Sequence, residues 1–500
     1  MPLQRNDMPE EKSLNSRVAN YFADKYGIVF SVTLALLAIW GLRSTVINGI
    51  TYPLKHGMFR GDFSGATFDT GWLEGVCSWQ PNVAADVVGT TQYGHYERGI
   101  EIFYGPLFTI FQHVLVENRC IQGLDSVTST PRVDVDSFLI VVTIINLLLI
   151  VASLWVLYRV FEFSYVEWMA ISTLWLIDSH LSYALSVAAI PEFLELWLIV
   201  SAVLLLRDKR SSAQYLSGIL IGIGAVIKLV PLIMFPLLLF RRSHTVHRVA
   251  GCIGTIMTVI VATSIGLRIP LLTTVKETFI PVQATQNSAL ETRNLLSIFT
   301  PQTNSEFQSL SGSIARVTNV EATSINGSII GIVSVVIIVS LYLVAVWYTV
   351  TLRRRGSSTS NPREPGMLLV AGLYCSLLPL INIAHRHTYL FLIATYALIY
   401  YAASRLFSPP KRNRLLAIGG ILYLWSSQGL LAATLTHLGI SHPLILHEEA
   451  LPNLALTVLI VIMICLYEKQ GGFGSAGQLE PPTRELAETT SQTRQGVSPR

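Results

Sequence analysis

Charge is what this sequence has least of. Only 13% of its 500 residues are Asp, Glu, Lys or Arg, about half the share of roughly 25% usual in a soluble domain. With 51% hydrophobic residues and a mean hydropathy of +0.51, the chain has too little polar surface to cover a water-facing globule. A soluble globular fold is thereby excluded, and the solvent for most of the chain is a lipid bilayer. The formal net charge is only +4 and the basic residues come in short clusters, a pattern that argues against nucleic acid as a partner. There is no Gly-rich phosphate loop, no His-Glu-x-x-His and no Cys-x-x-Cys, so no cofactor and no metal are expected. No cleavable signal peptide is expected from these residues, because the first 27 are polar and no small-residue cleavage site follows the first apolar run.

Long apolar runs fill the rest. A hydrocarbon core about 30 Å thick needs roughly 20 apolar residues in a helix. Such runs begin near Ile28, Ser137, Glu167, Glu192, Val246, Asn326, Gly366, Thr388, Leu415 and Ala450. Between Gln214 and Phe240 a longer stretch is interrupted by Pro231 and Pro236, which remove backbone donors and predict two short helices. The expectation is an all-α, polytopic membrane protein with about twelve membrane helices, since in lipid only helices of this length satisfy their own backbone.

Basic clusters set the expected orientation. Arg207, Lys209 and Arg210 share one short loop, and Arg241, Arg242 and Arg248 the next. Arg353, Arg354 and Arg355 follow, then Lys411, Arg412 and Arg414. Short loops rich in Lys and Arg stay cytoplasmic. All four fall on one side if residues 103–118 do not cross and the proline-broken pair returns to its own side. Residues 1–27 then form a cytoplasmic segment, 28–467 the transmembrane domain, and 468–500 a disordered cytoplasmic tail rich in Gly, Ser, Thr and Pro. Two long polar loops, about 51–136 and 268–325, lie on the outer face. In the first, Phe103 to Val116 is predicted as an interfacial helix with Pro106 in its first turn. No internal repeat is evident.

Four groups of polar residues are placed where chemistry is possible. Asp62, in Gly61-Asp62-Phe63, follows the first span, where a carboxylate beside apolar surface can act as a general base; a turn or helix cap is the ordinary alternative. His385, Arg386 and His387 sit between two late spans and could bind a phosphate through charge-assisted hydrogen bonds; an interfacial polar loop accounts for them as well. Lys228 stands in an apolar run with Gly218, Gly222 and Gly224, and needs an anion, carbonyls or a snorkelling route. Those glycines permit close helix contact. Ser309, within Gln308-Ser309-Leu310-Ser311-Gly312, reads as a capped helix start, with Arg316 beyond it.

In order along the chain, Gly61-Asp62-Phe63, Tyr104-Gly105-Pro106-Leu107-Phe108, Ile227-Lys228-Leu229-Val230-Pro231, Gln308-Ser309-Leu310-Ser311-Gly312 with Arg316, and His385-Arg386-His387 form a constellation. It resembles the bacterial polyprenol-phosphate-mannose-dependent α-mannosyltransferases, a branch of the GT-C glycosyltransferases, from about Ile28 to Tyr401. The resemblance implies a GT-C-like fold in a bacterial plasma membrane, a polyprenyl-phosphate-linked sugar donor, a glycolipid or glycan acceptor, and inverting transfer on the extracytoplasmic face. Carried over, Asp62 is the general base and His385 or His387 contacts the donor phosphate. Arg386, Lys228, Tyr104, Gln308 and Arg316 join the substrate-binding residues, with no particular role for Lys228. Two positions depart from the family pattern: Phe307 stands where Asn is usual, and Arg386 separates histidines that are commonly adjacent. The chemistry is consistent, because an outward-facing transferase needs a donor carried by lipid, and cationic groups stabilise the departing phosphate.

Two further readings stay open. A lipid-linked oligosaccharide polymerase or ligase would use late-loop Arg and His without Asp62. A transporter would use the broken helices and buried Lys228 at mid-membrane. Finally, Cys77 and Cys120 both fall in the first outer loop, where an oxidising compartment permits a disulfide, whereas Cys252, Cys375 and Cys465 lie within spans.

Overall fold

The computed structural model describes residues 32–51, 120–122, 131–133, 135–186, 190–227, 230–240, 243–267, 270–272, 274–275, 309–321, 324–355, 365–381, 386–427, 435, 438–439 and 448–469. Apart from one short ribbon, the described residues are almost entirely helical, as the composition requires. In chain order the helices are α1 (Val32–Thr51), α2 (Val135–Phe161), α3 (Tyr165–Leu176), α4 (Ser179–Ser186), α5 (Ile190–Leu206), α6 (Ser211–Ile227) and α7 (Thr245–Leu267). The second half adds α8 (Leu310–Thr318), α9 (Ile325–Arg355), α10 (Pro365–Leu377), α11 (Leu392–Leu406), α12 (Pro409–Ser427) and α13 (Ala450–Lys469). A 3-10 stretch at Val230–Leu239 follows α6, and another at Arg386–Phe391 leads into α11. Ahead of α2 a two-stranded antiparallel ribbon, β1 (Cys120–Gln122) and β2 (Pro131–Val133), pairs Cys120 with Val133. This ribbon is the one departure from an all-helical reading among the described residues. The predicted interfacial helix at Phe103 to Val116 lies outside them, as do the two ends of the chain.

The apolar stretches are helical where they are described, and six helices are long and apolar enough to cross a membrane by length and composition. Their surfaces show what solvent they are built for. On α2 the exposed large side chains are Ile140, Ile144, Leu147, Leu148, Val151 and Trp155, a stripe at helical spacing. Ile150, Val156, Leu157 and Val160, on the other side of the same helix, are buried. Apolar residues on both faces belong to a helix packed on one side and bathed by lipid on the other. On α9 the exposed stripe runs through Ile329, Val333, Val336, Leu343 and Trp347. Helices α10 and α11 are buried almost along their whole length and form the middle of the bundle, packed against each other and against α13.

Two local devices shape the bundle. The hairpin α6–α7 is closed by glycines: a Cβ at Gly218 would overlap the carbonyl of Arg248, and one at Gly222 would lie 2.7 Å from the carbonyl oxygen of Cys252. Arg248 itself is fully buried. It donates from Nε to the Leu238 carbonyl at 2.5 Å, from Nη1 to Gln214 Oε1 at 2.6 Å, and from Nη2 to Thr245 Oγ1 at 3.2 Å. The sequence reading placed Arg248 in a basic loop with Arg241 and Arg242. That expectation is corrected: Arg248 lies in α7, and its charge is spent on a helix-to-helix staple. Nearby, in the loop before α6, two hydrogen bonds from Arg210 at 2.9 and 2.6 Å hold the Asp208 carboxyl below the ordinary carboxylate range.

The second device is a broken helix. The apolar run from Glu167, expected as one span, is two helices. Ser164 caps α3 in a reciprocal box with Glu167, and α3 stops at Leu176. Asp178 then caps α4, accepting the His180 amide at 2.9 Å. The end of α1 covers this break: Thr45 donates to the Leu176 carbonyl at 3.3 Å, and the π-helical turn Thr45–Thr51 packs on α4.

Candidate functional site

Helix direction sorts the ends of the bundle. Lys411, Arg412 and Arg414 open α12, Arg353 and Arg354 lie in the last turn of α9, and Arg207 after α5 pairs with Glu162 after α2 at 3.1 Å. At the opposite end meet the α3–α4 break, the start of α5, the 3-10 turn Arg386–Phe391, the end of α12, the start of α13 and the short helix α8. Most of the buried ionisable side chains collect there.

His180 stands at the centre. Its Nδ1 lies 2.8 Å from Asp178 Oδ1 and its Nε2 lies 2.9 Å from Glu449 Oε2, with all three side chains buried. Tyr423 donates to the other Asp178 oxygen at 2.8 Å. The imidazole stacks on the ring of Tyr389, centroids 5.1 Å apart at 24°. Ser179 donates to the Ser427 carbonyl, and Ser426 donates to the Glu449 carbonyl at 3.1 Å. Asn453 donates to the Ser376 carbonyl at 3.1 Å, tying α13 to the end of α10. Residues from α4, α10, the turn before α11, α12 and α13 thus form one polar knot in an apolar bundle.

Arg316 borders the knot. Ser309 caps α8 by accepting the Gly312 amide at 3.2 Å, and Asn319 closes the helix in the left-handed region at φ 53°. That short, capped helix holds Arg316 so that its Nε and Nη2 donate to the two oxygens of Glu448 at 2.8 and 2.9 Å, a two-pronged pair. Arg316 also receives support from Ser313 at 3.3 Å. Glu192 and Glu195, one turn apart at the start of α5, are buried at the same end, and α5 packs on the Arg386–Phe391 turn. Among the described residues no group of three or more His, Cys, Asp or Glu side chains is arranged to hold a metal ion.

Of the residues singled out in the sequence, Arg316 is described in full and lies in this cluster. Arg386 and His387 are described through their backbone, as the first two residues of the turn that carries Tyr389 against His180. Cys120 is described only as a strand residue. Asp62, Tyr104, Lys228, Gln308, His385 and Cys77 lie outside the described residues. Sequence reasoning missed Asp178, His180, Glu448 and Glu449. The signal was present: Asp178 and His180 interrupt an apolar run, and ionisable residues at membrane depth are rare unless paired or functional.

A family model described as Glycosyltransferase family 87 matches residues 127–380, just over half of the chain. The chain belongs to glycosyltransferase family 87. Its match spans α2 through α10, so Asp178, His180 and Arg316 of the cluster fall inside the family-87 region, while Glu448 and Glu449 lie beyond it. No curated protein matches the sequence. This family-87 chain is a membrane glycosyltransferase, and the transporter reading loses its ground with that assignment.

Proposed function

We propose that this glycosyltransferase moves a sugar, mannose, from a polyprenyl-phosphate donor to a hydroxyl of a glycolipid or glycan acceptor on the extracytoplasmic face of the plasma membrane. The acceptor oxygen attacks the anomeric carbon as the bond from that carbon to the phosphate oxygen breaks. The hydroxyl proton passes to the Asp62 carboxylate, the polyprenyl phosphate departs as an anion, and the anomeric configuration inverts. Arg316, Arg386, His385 and His387 balance the phosphate charge. Lys228, Tyr104 and Gln308 complete the substrate contacts.

One observation carries this reading. Arg316 and the turn that begins at Arg386 and His387, far apart in sequence, converge on a single buried polar cluster. That cluster lies at the end of an apolar bundle opposite the basic loops. A donor with a lipid tail and a phosphate head requires this combination: apolar surface for the tail, and preorganised charge at its boundary for the head. In this reading Lys228 and the His385–His387 segment supply positive charge for the phosphate beside Arg316, offsetting the carboxylates of the described cluster.

Purified protein in lipid, offered a panel of polyprenyl-phosphate sugars, tests the donor. Transfer from the mannosyl donor is the expected result; transfer only from nucleotide sugars would overturn it. Asp62→Asn tests the base, because an amide cannot take the proton. Turnover should fall by about 10²–10⁴-fold while donor affinity and folded yield hold. A folded Asp62→Asn enzyme with normal turnover would remove Asp62 from the mechanism.

A further inference from the structure

The His180 ring has more acceptors than one proton can serve. Carboxylate oxygens face both ring nitrogens, at 2.8 Å from Asp178 and 2.9 Å from Glu449. An ionised carboxylate only accepts, and a neutral imidazole carries a single N–H. An imidazolium between the two carboxylates would be held by charge from both sides. Such a paired, buried charge is stable only while both partners stay in place.

The clamp has a mechanical output. Asp178 caps α4 and accepts from Tyr423 of α12; Glu449 opens α13. The imidazole sits between the two carboxylates, and one of its faces lies against Tyr389. A cationic ring over an aromatic face is attracted to it and resists sliding. Tyr389 stands two residues after His387, in a 3-10 turn that packs on α4, α5, α11 and the 3-10 stretch Leu378–Leu380.

We propose that His180, clamped by Asp178 and Glu449, is a positioning residue for the transfer reaction. By stacking on Tyr389 it sets the place of the Arg386–Phe391 turn, and thus of the groups that meet the donor phosphate. The assignment of Arg386 and His387 to that phosphate rests on the functional reading given above; the clamp on the turn does not. His180 touches neither donor nor acceptor in this scheme.

Two measurements on the full-length protein in lipid separate those dependencies. In the first, amide hydrogen exchange is followed by mass spectrometry in wild type and His180→Gln. Exchange across Arg386–Phe391 should accelerate by on the order of tenfold or more, with the α6–α7 hairpin unchanged. A folded His180→Gln protein with wild-type exchange in that turn would overturn the proposal. Should His180→Gln fail to fold, Glu449→Gln, which keeps the size and removes one arm of the clamp, is read in the same way.

The second measurement is kinetic. His180→Gln should lower kcat/KM for the polyprenyl-phosphate donor by on the order of 10–100-fold, the scale of a small misplacement, with most of the change in donor KM. Tyr389→Leu should act alike, and the double variant should be no worse than either single one, because both break the same link. Fully additive losses would mean that His180 does not act through Tyr389. If the wild type transfers from no polyprenyl-phosphate donor, the functional reading fails, and the exchange experiment still decides whether His180 holds the turn.

Discussion

Arg316 and Glu448 show how a single pair can be read for two roles at once. The guanidinium engages both carboxylate oxygens, and neither side chain is more than slightly exposed. Truncating one partner strands the other in a poorly solvated site, at a cost of about 3 kcal/mol. Arg316→Gln should therefore lower the melting temperature, and adding Glu448→Gln should restore most of it. Donor affinity should not return with stability if Arg316 also serves the phosphate. Thermal melting beside donor KM in the three variants distinguishes these outcomes, and recovery of both together would make the pair structural only. The residue scale is also where the sequence was least complete. Arg316 could be singled out through the family resemblance that its segment carries, but Asp178, His180 and Glu449 share no local motif. Tyr423 and Asp178 are separated by 245 positions, and only folding puts them in contact.

Elements were more legible. The glycines at 218 and 222 implied close helix packing, and the α6–α7 hairpin has it. Gly218→Ala should push the helices apart and cost about 1–3 kcal/mol of stability, the usual scale of overpacking. Gly254→Ala, where an added Cβ meets nothing within 4 Å, should stay within about 1 kcal/mol of wild type. Equal melting temperatures for the two variants would contradict the close contact. The prolines at 231 and 236 implied an interruption after the first of two short helices, and a 3-10 stretch is found there. The α3–α4 break was not foreseen, because an aspartate cap inside an apolar run is outweighed in any window average by its neighbours. A similar local constraint is proposed for the ribbon: Cys120, opposite Val133, is expected to bridge Cys77. Alkylation of both cysteines without reductant, read as a mass shift, would count against that bridge.

At the scale of the molecule, composition alone dictated the class. The apolar stripes on α2 and α9 carry the same message in three dimensions, since side chains that a soluble protein would bury face outward at helical spacing. The apolar stretches became helices because a run of that length has no other structure open to it in lipid, and six of those helices are long and apolar enough to cross a membrane. Orientation is proposed from the basic clusters, with both termini cytoplasmic and Asp62 and His385 across the membrane. Single cysteines at Ser64 and Ser357, labelled with an impermeant thiol reagent in intact cells, are expected to react from opposite sides. Labelling of both from one side would refute the scheme. Arg248 teaches a caution here, because a basic residue near a helix end is not always a loop charge. It was miscounted since its partner Gln214 lies one helix away, out of reach of any local window.

The helix break at Asp178 also has a consequence for how the protein is made. Segment 165–186 leaves the ribosome long before Tyr423 and Glu449, the groups that satisfy Asp178 and His180. At about 5–20 residues per second, synthesis of the intervening 245 positions takes roughly 10–50 s. Through that interval a carboxylate and an imidazole stand without the partners that the last helices bring. A chain cut short before α12 would keep the contact between Asp178 and His180 but lack Tyr423 and Glu449, their partners from the last helices. The last two helices thus act as a checkpoint for the first ones, and the protein is complete only when its end has returned to its middle.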